Sequence, residues 1–446
     1  MHHQPSTANR SDESGFMTIF MTVILAFLFV VGLSLLAYVL TTKKIGKQVG
    51  GEVLSVQIAE AGVQKAMFCL NTTNGAQCGG HYGINYMGES TVDIGTGYFS
   101  TVLTGDGVNR TITAVGTTYD GFSQTVAVGI TTVPPTDDTQ FAYALQSGEG
   151  GAHLENNAII SGTLYSNGNV TCQTPQAIVD GDIYVSLAGG RVEDCKSNYH
   201  VHADRILDTV VKGNAYFKIN PTDIAGSTVT GSKNPNSSTP EIKNLPSINL
   251  DFWRQSAEDG GVIYGNYSPT DNSNLGPIKI IGNLVMGNNI DVTVQGPIWV
   301  AGNITTGNNS TFTLDSTYDD YSTVILADNP SDQANSGKII ISNNTGIYGS
   351  GDPKSHLMFV STNSSANPSA PSLSVSNNST GAIFYATQGI LRLQNNAGAK
   401  SLASHRLYVS QNAIVNYVES ELADANFSNS PSNRWRIKPG EWRQVK

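Results

Sequence analysis

Residues 282–314, GNLVMGNNIDVTVQGPIWVAGNITTGNNSTFTL, state nearly the same phrase twice. A Gly-Asn pair, a short apolar run and an Asn-Asn step return after about 20 residues. Asn-Asn steps also occupy Asn156 and Asn157 and begin at Asn288, Asn308, Asn343, Asn377 and Asn395, while Gln411 and Asn412 form a degenerate copy. The longer intervals, about 34 and 35 residues, read as two periods, which leaves a unit of about 17–20 residues. Each unit carries short runs such as IKII, IDVTV, IWVAG and KIIIS. Runs this short cannot bury an apolar face alone; they gain a core only when their inward Ile, Val and Leu stack on those of neighbouring units. Gly and Asn suit the corners because they tolerate left-handed backbone angles, and stacked Asn side chains can hydrogen-bond along the stack. The fold expected for residues 139–446 is a right-handed parallel β-helix, within a chain that is mainly β.

The period breaks between about 232 and 262. There SINLDFWRQSAED suggests a short helix after Pro246, with Ile248, Phe252 and Trp253 turned to the flank of the stack; the segment reads as an excursion loop. The closing NRWRIKPGEWRQVK holds two of the four tryptophans and is expected to cap the open last coil, whose edge would otherwise invite pairing.

The surface is weakly charged. Asp, Glu, Lys and Arg make up 13% of the chain, against about 25% in ordinary soluble domains. A formal net charge of -10 and the lack of a basic stripe exclude nucleic acid as an expected partner, since phosphate backbones are held by clustered Lys and Arg. The body holds no G-x-S-x-G, H-E-x-x-H or phosphate-loop motif, so no cofactor and no catalytic residue is expected.

The other end of the chain has a different character. Residues 16–40, FMTIFMTVILAFLFVVGLSLLAYVL, run without a charge. A helix of that length spans roughly 37 Å, more than the roughly 30 Å hydrocarbon core of a bilayer. A signal peptide would have a shorter apolar core and a small-residue cleavage site, so a retained anchor in contact with membrane lipid is the expectation. Beyond it, Ile45, Val49, Val53, Val56, Ala59, Val63, Met67 and Leu70 keep steps of three and four, which places them on one helical stripe facing the chain's own globular part. Residues 16–78 thus read as a transmembrane and amphipathic helix after a leader or cytoplasmic segment 1–15. Residues 79–138 alternate apolar and polar positions between Gly-Asp-Gly and Asp-Gly turns and read as a small antiparallel sheet, ended by the linker VPPTDDT at 133–139.

An apolar helix directly after ESGF, continued into IAEAGVQKAMFCLN, resembles the N-terminal domain of type IV pilus biogenesis proteins of the PilX type, which are prepilin-like. The likeness covers about the first 70 residues. It implies prepilin-peptidase cleavage between Gly15 and Phe16, a single-pass location in the bacterial cytoplasmic membrane, and packing of the helix with other pilin-like subunits. Phe20 stands where major pilins carry Glu, and Arg10 is the only basic residue of the leader apart from its histidines. The stretches LGPIKIIGNLVM, GPIWVAGNIT and LADANFSNSPSNRWRI likewise resemble Asn-rich β-helical domains of bacterial surface proteins. Together these likenesses imply a structural or adhesive subunit with an extracytoplasmic domain, whose ligand would be a surface glycan or a host or partner-cell molecule. Lys43, Lys44 and Lys47 follow the span, and the positive-inside rule taken alone would put the large domain in the cytoplasm.

The four cysteines form two local pairs, Cys69 with Cys78 and Cys172 with Cys195, which suits disulfides in an oxidising compartment, although four cysteines permit three connectivities. Cys172 and Cys195 with His200 and His202 also offer a tetrahedral zinc set, and free thiols are the remaining alternative. A membrane-tethered polysaccharide lyase or hydrolase would draw its acid and base from Asp180 and Asp182, or from Asp315, Asp319 and Asp320; the same turns could hold Ca2+. A bactofilin-like scaffold polymerising end to end is the third functional reading.

Overall fold

The computed structural model describes residues 13–72, 75–132, 136–137, 139–173, 176–423, 425–429 and 434–445. Residues 1–12, most of the expected leader or cytoplasmic segment 1–15, and most of the expected linker at 133–139 lie outside this set. The chain divides into two compact units, residues 1–132 with 435–446, and residues 133–434. The first boundary falls near the expected linker. The second does not, because the C-terminal segment belongs to the first unit.

In the first unit a helix, α1 (Glu13–Asn71), runs without interruption. No proline breaks it, and within and just after the apolar run Ser34, Thr41 and Thr42 donate their hydroxyls to the carbonyls of Val30, Ala37 and Tyr38 at 2.8–2.9 Å. Such back-bonding satisfies these three hydroxyls without water. The sheet is antiparallel: β1 (Val92–Asp93), β2 (Gly97–Gly105), β3 (Asn109–Thr118) and β4 (Ser123–Thr131) pair in sequence order. Ile112, Ala114 and Gly116 of β3 face α1 by simple alternation. At Gly116 the strand meets the helix backbone to backbone: a Cβ there would lie 2.2 Å from the Ser55 carbonyl oxygen and 2.4 Å from the Ala59 nitrogen.

The expected apolar stripe is covered only over its second half. Ala59, Val63 and Leu70 are buried, whereas Ile45, Val49 and Val53 stay more than half exposed. The sheet ends at the turn whose Phe122 ring lies beside Gly51, and it leaves Ile45, Val49 and Val53 uncovered. The expectation that the C-terminal segment caps the repeats is overturned. Arg436–Val445 pairs antiparallel with β4, joining Ile437 to Ile130 and Trp442 to Val128. Trp435 is buried in this unit's core, exchanges two hydrogen bonds with the Asn71 side chain at 2.8 and 2.9 Å, and has the Arg110 guanidinium 5.1 Å from its ring. Closing an edge of this sheet satisfies the same physical need that capping would have met.

The second unit is built of parallel sheets whose strands pair with strands one unit earlier and later. Strand by strand, Ile178 lies beside Ile159, Lys196 beside Ile178, and Val210 beside Lys196. Inward Ile, Val, Leu and Phe from all ladders form one continuous core, in which Leu145, Leu164, Ile183 and Val201 are fully buried and successive. At the corners the Asn-Asn steps adopt positive φ, as at Asn289 (54°), Asn309 (56°), Asn344 (56°) and Asn378 (63°). Their amides form a ladder, Asn309 to Asn289 at 3.2 Å, Asn344 to Asn309 at 2.8 Å and Asn378 to Asn344 at 3.1 Å.

That ladder corrects the period. Asn309 and Asn344 are neighbours, as are Asn344 and Asn378, so each long interval is one unit and not two. The surplus residues leave the sheets between paired strands, as between Tyr321–Ala327 and Ile339–Ile341. Nor is the last unit open. Ser401–Val409 pairs parallel with Leu145–Leu154, and Ile414–Asn416 with Ile159–Ser161. The units at 145–234 therefore stack onto the units at 262–416, with the two ends of sequence order meeting in the middle. Lys233–Asn234 and Val262–Tyr264 each pair on one side only, with Ala215–Tyr216 and Ile278–Ile281 respectively, and so lie at opposite ends.

The segment between them must travel the length of the stack. It does so as an extended strap whose carbonyls accept hydrogen bonds from successive side chains: Asn167 to Lys243 at 2.6 Å, Gln146 to Asn244 at 2.6 Å, Tyr385 to Pro246 at 2.7 Å and Thr139 to Ser247 at 2.8 Å. The strap ends in α2 (Leu250–Asp259), capped by Asn249. Trp253 and Ala257 of α2 are buried with Trp299, Leu326, Val360 and Tyr385 in a second cluster on the outer face of the sheet, where Ile248 and Phe252 also pack.

Candidate functional site

The first functional feature is the apolar half of α1. Its side chains from Ile19 to Leu40 are exposed, and the helix reaches a mean hydropathy of 2.8 over its most apolar window. This one helix is long and apolar enough to span a membrane. The expected cleavage pair, Gly15 and Phe16, sits within α1, with side chains outside the described set.

Both cysteine pairs are disulfides. Cys69–Cys78 ties the end of α1 to the turn that follows it, and Cys172–Cys195 joins two consecutive units, with Cα atoms 5.6 and 5.0 Å apart. The zinc alternative fails, because the Cys172 and Cys195 sulfurs are consumed by their own bond. Among the described residues no cluster of three His, Cys, Asp or Glu is placed to hold a metal ion, and no cysteine is free.

His200 and His202 serve the stack. The His200 Nδ1 accepts the Asn214 backbone N–H at 2.8 Å. The His202 ring lies between Tyr184 and Tyr216, with centroids 4.6 and 4.1 Å away and planes within 13° of parallel. Burial holds its pKa below the ordinary imidazole value. Tyr165 and Tyr143 extend the column at 5.5 and 4.9 Å. Because the rings cover one another's faces, the column presents edges to solvent. Sequence reasoning missed it, although Tyr165, Tyr184 and His202 recur at 19 and 18 residues.

The candidate acid and base carboxylates are occupied with turns. Asp180 accepts the Asn198 amide at 2.9 Å; Asp182 accepts the His200 N–H at 2.9 Å and the Tyr184 hydroxyl at 3.2 Å. Asp315 takes the Thr317 N–H at 2.9 Å and hydroxyl at 2.7 Å, and Gln295 at 3.0 Å. Burial alone would raise the pKa of Asp315, but these hydrogen bonds hold it below the ordinary carboxylate value. Asp319 has positive φ and closes the turn over Ser316–Tyr318, and Asp320 follows it, exposed.

Two adjoining cavities do mark the flank of the second unit. One of about 380 Å3 is lined by Tyr348, Asp352, His356 and Lys400, and the other, about 280 Å3, by Lys400, Asn396 and Asn416. The Tyr348 ring is exposed, and Lys400 is paired with Glu421 at 2.8 Å. His356 is buried, and that burial pushes its pKa down. The chemistry offered is an exposed ring beside amides, a carboxylate and an ammonium.

No protein-family model, curated protein or solved structure matches the chain.

Proposed function

We propose that the chain is a prepilin-like, membrane-anchored subunit. In this reading α1 is inserted in the bacterial cytoplasmic membrane and packs there with other pilin-like helices. Residues 133–434 form a right-handed parallel β-helix carried outside the cytoplasm, in type IV pilus assembly or at the cell surface. The observation that carries the reading is one uninterrupted helix whose first half is apolar and exposed and whose last turns, from Ser55 on, bury one face against an antiparallel sheet. A soluble protein would pay heavily for the first half, whereas a membrane accommodates it. The parallel ladders, the left-handed Asn corners and the amide ladder support the β-helix. The two disulfides favour an oxidising compartment for both units.

The cavities beside Tyr348 and Lys400 suit a surface saccharide, which an exposed ring stacks against and amides hydrogen-bond. A glycan-cleaving role is less favoured, because the oxygens of Asp180, Asp182 and Asp315 already accept hydrogen bonds that shape their own turns.

Mass spectrometry of the chain made with and without a prepilin peptidase tests the reading. A chain beginning at Phe16 only when the peptidase is present supports it. An intact N-terminus in both cases removes the prepilin likeness and leaves a plain anchor. Labelling cysteines from outside intact cells after reduction tests orientation: protection of Cys172 and Cys195 would sink the extracytoplasmic assignment.

A further inference from the structure

The turn joining β3 to β4 reaches along α1 toward its apolar half. The Phe122 ring lies against α1 at Gly51, where a Cβ would come within 2.2 Å of it, and Asp120 pairs with Lys47 at 3.4 Å. Between turn and helix is a cavity of about 510 Å3, lined by Lys43, Lys44, Lys47, Gln48, Asp120 and Phe122. Three lysines and a single carboxylate thus share this lining. Lys43 and Lys44 form no ion pair with any described residue.

The position of this cavity along the helix matters. Leu40 ends the apolar run, and at 1.5 Å per residue Lys43 and Lys44 stand roughly 5–6 Å beyond it. The headgroup layer on each side of the hydrocarbon is about 5–7 Å deep. Helical side chains tilt toward the N-terminus, so these lysines lean back toward the bilayer, and their stems can follow the apolar surface while the ammonium groups meet polar headgroups.

We infer that this cavity binds the phosphate of an anionic phospholipid, with Lys43 and Lys44 as its charge partners, Lys47 shared with Asp120, and Phe122 closing the side away from the bilayer. The inference rests on the reading of α1 as a membrane span. It also gives the lysines a role that the positive-inside rule does not count: positive charge neutralised by lipid phosphate need not mark the cytoplasmic side.

The test uses the full chain in detergent, titrated with phosphatidylglycerol or phosphatidylcholine and read by native mass spectrometry. Flotation with phosphatidylcholine vesicles is measured in parallel. Wild type is expected to bind phosphatidylglycerol more tightly. The triple variant K43Q/K44Q/K47Q should lose that preference, by about fivefold for each charge removed, while the Lys-to-Arg triple variant should keep it. All three chains should float with phosphatidylcholine vesicles and retain the Cys69–Cys78 bond. Equal binding of the two lipids by wild type, or an undiminished preference in the glutamine variant, overturns the inference while leaving the anchor intact. Complete displacement of the lipid by inorganic phosphate overturns lipid as the occupant. Failure of wild type to float overturns the anchor and the inference together.

Discussion

Asn157 donates its side-chain amide to the Asn412 oxygen across 3.0 Å, although 255 residues separate them. Asn412 in turn donates to Asn396 at 3.1 Å, so the amide ladder crosses the seam between the beginning and the end of the repeat region. The first and last units are thus neighbours, and each closes an edge that sequence order would have left open.

Asn412 has φ of 61°, a conformation that costs a side chain with a Cβ about 1–2 kcal/mol unless its own polar group offsets it. Replacing Asn412 by Ala should lower stability by about that amount, and replacement by Gly by less, since only the amide bonds are lost. Denaturation midpoints of the full chain, followed by circular dichroism, give the order wild type, Gly, Ala. Equal losses for Gly and Ala would show that backbone strain contributes nothing at this corner.

The Cys172–Cys195 bond closes a sequence separation of 23 residues. Restricting a loop of that size in the unfolded chain corresponds to about 3 kcal/mol. The double variant Cys172→Ser with Cys195→Ser should therefore unfold at markedly lower denaturant, and adding reductant should not shift its second unit further. Coincident curves for variant and oxidised wild type would refute the expectation.

Asp328 has a fully buried side chain that accepts from Arg254 Nε at 2.6 Å and from the Thr362 hydroxyl at 2.7 Å. Arg254 belongs to α2, so this pair pins the strap to the stack. Removing only the cation strands a buried carboxylate, an error of about 3–5 kcal/mol when the pair is wholly enclosed. Because Arg254 keeps some exposure, Arg254→Met should cost less, about 2–3 kcal/mol, and should open residues 232–262 to limited proteolysis. An unchanged cleavage pattern would mean that α2 is held by its apolar face alone.

Burial holds the pKa of His356 below 6.5, outweighing the Glu421 carbonyl and the Glu421 and Asp352 carboxylates, while Lys400 acts in the same direction as burial. His202 is lowered by burial as well, against Asp182. The unfolded chain binds protons at these imidazoles near pH 6.5, and the folded chain only at lower pH. Their contribution therefore becomes unfavourable as pH falls below 6.5 and levels off beneath the lowered values. His356→Gln should flatten part of that slope when urea midpoints are compared across the window. A slope unaltered in both His356→Gln and His202→Gln would assign the loss to other groups.

Much of this organisation is legible without coordinates. The uncharged run at 16–40 dictates a helix that needs an apolar surrounding, because length and hydropathy are properties of the segment alone. The Asn-Asn steps mark corners for a similarly local reason: φ above zero is tolerated by very few residue types. The proximity of Cys69 to Cys78, and of Cys172 to Cys195, makes local pairing readable, and the alternation in β2 and β3 names their inward faces.

Which unit lies beside which was decided elsewhere. The interval from Asn309 to Asn344 is the same length whether it holds two units or one unit with a loop, and only the amide bond between them distinguishes the two. The C-terminal strand has an apolar pattern that could close an edge in either unit, and it pairs with β4. The junction of Asn412 with Asn157, the path of the strap over Tyr385, and the cavity formed by Lys43 and Phe122 all join residues remote in sequence. Propensity and period act over a few neighbours along the chain, whereas edge closure, burial and charge pairing depend on surfaces that exist only once the chain has folded.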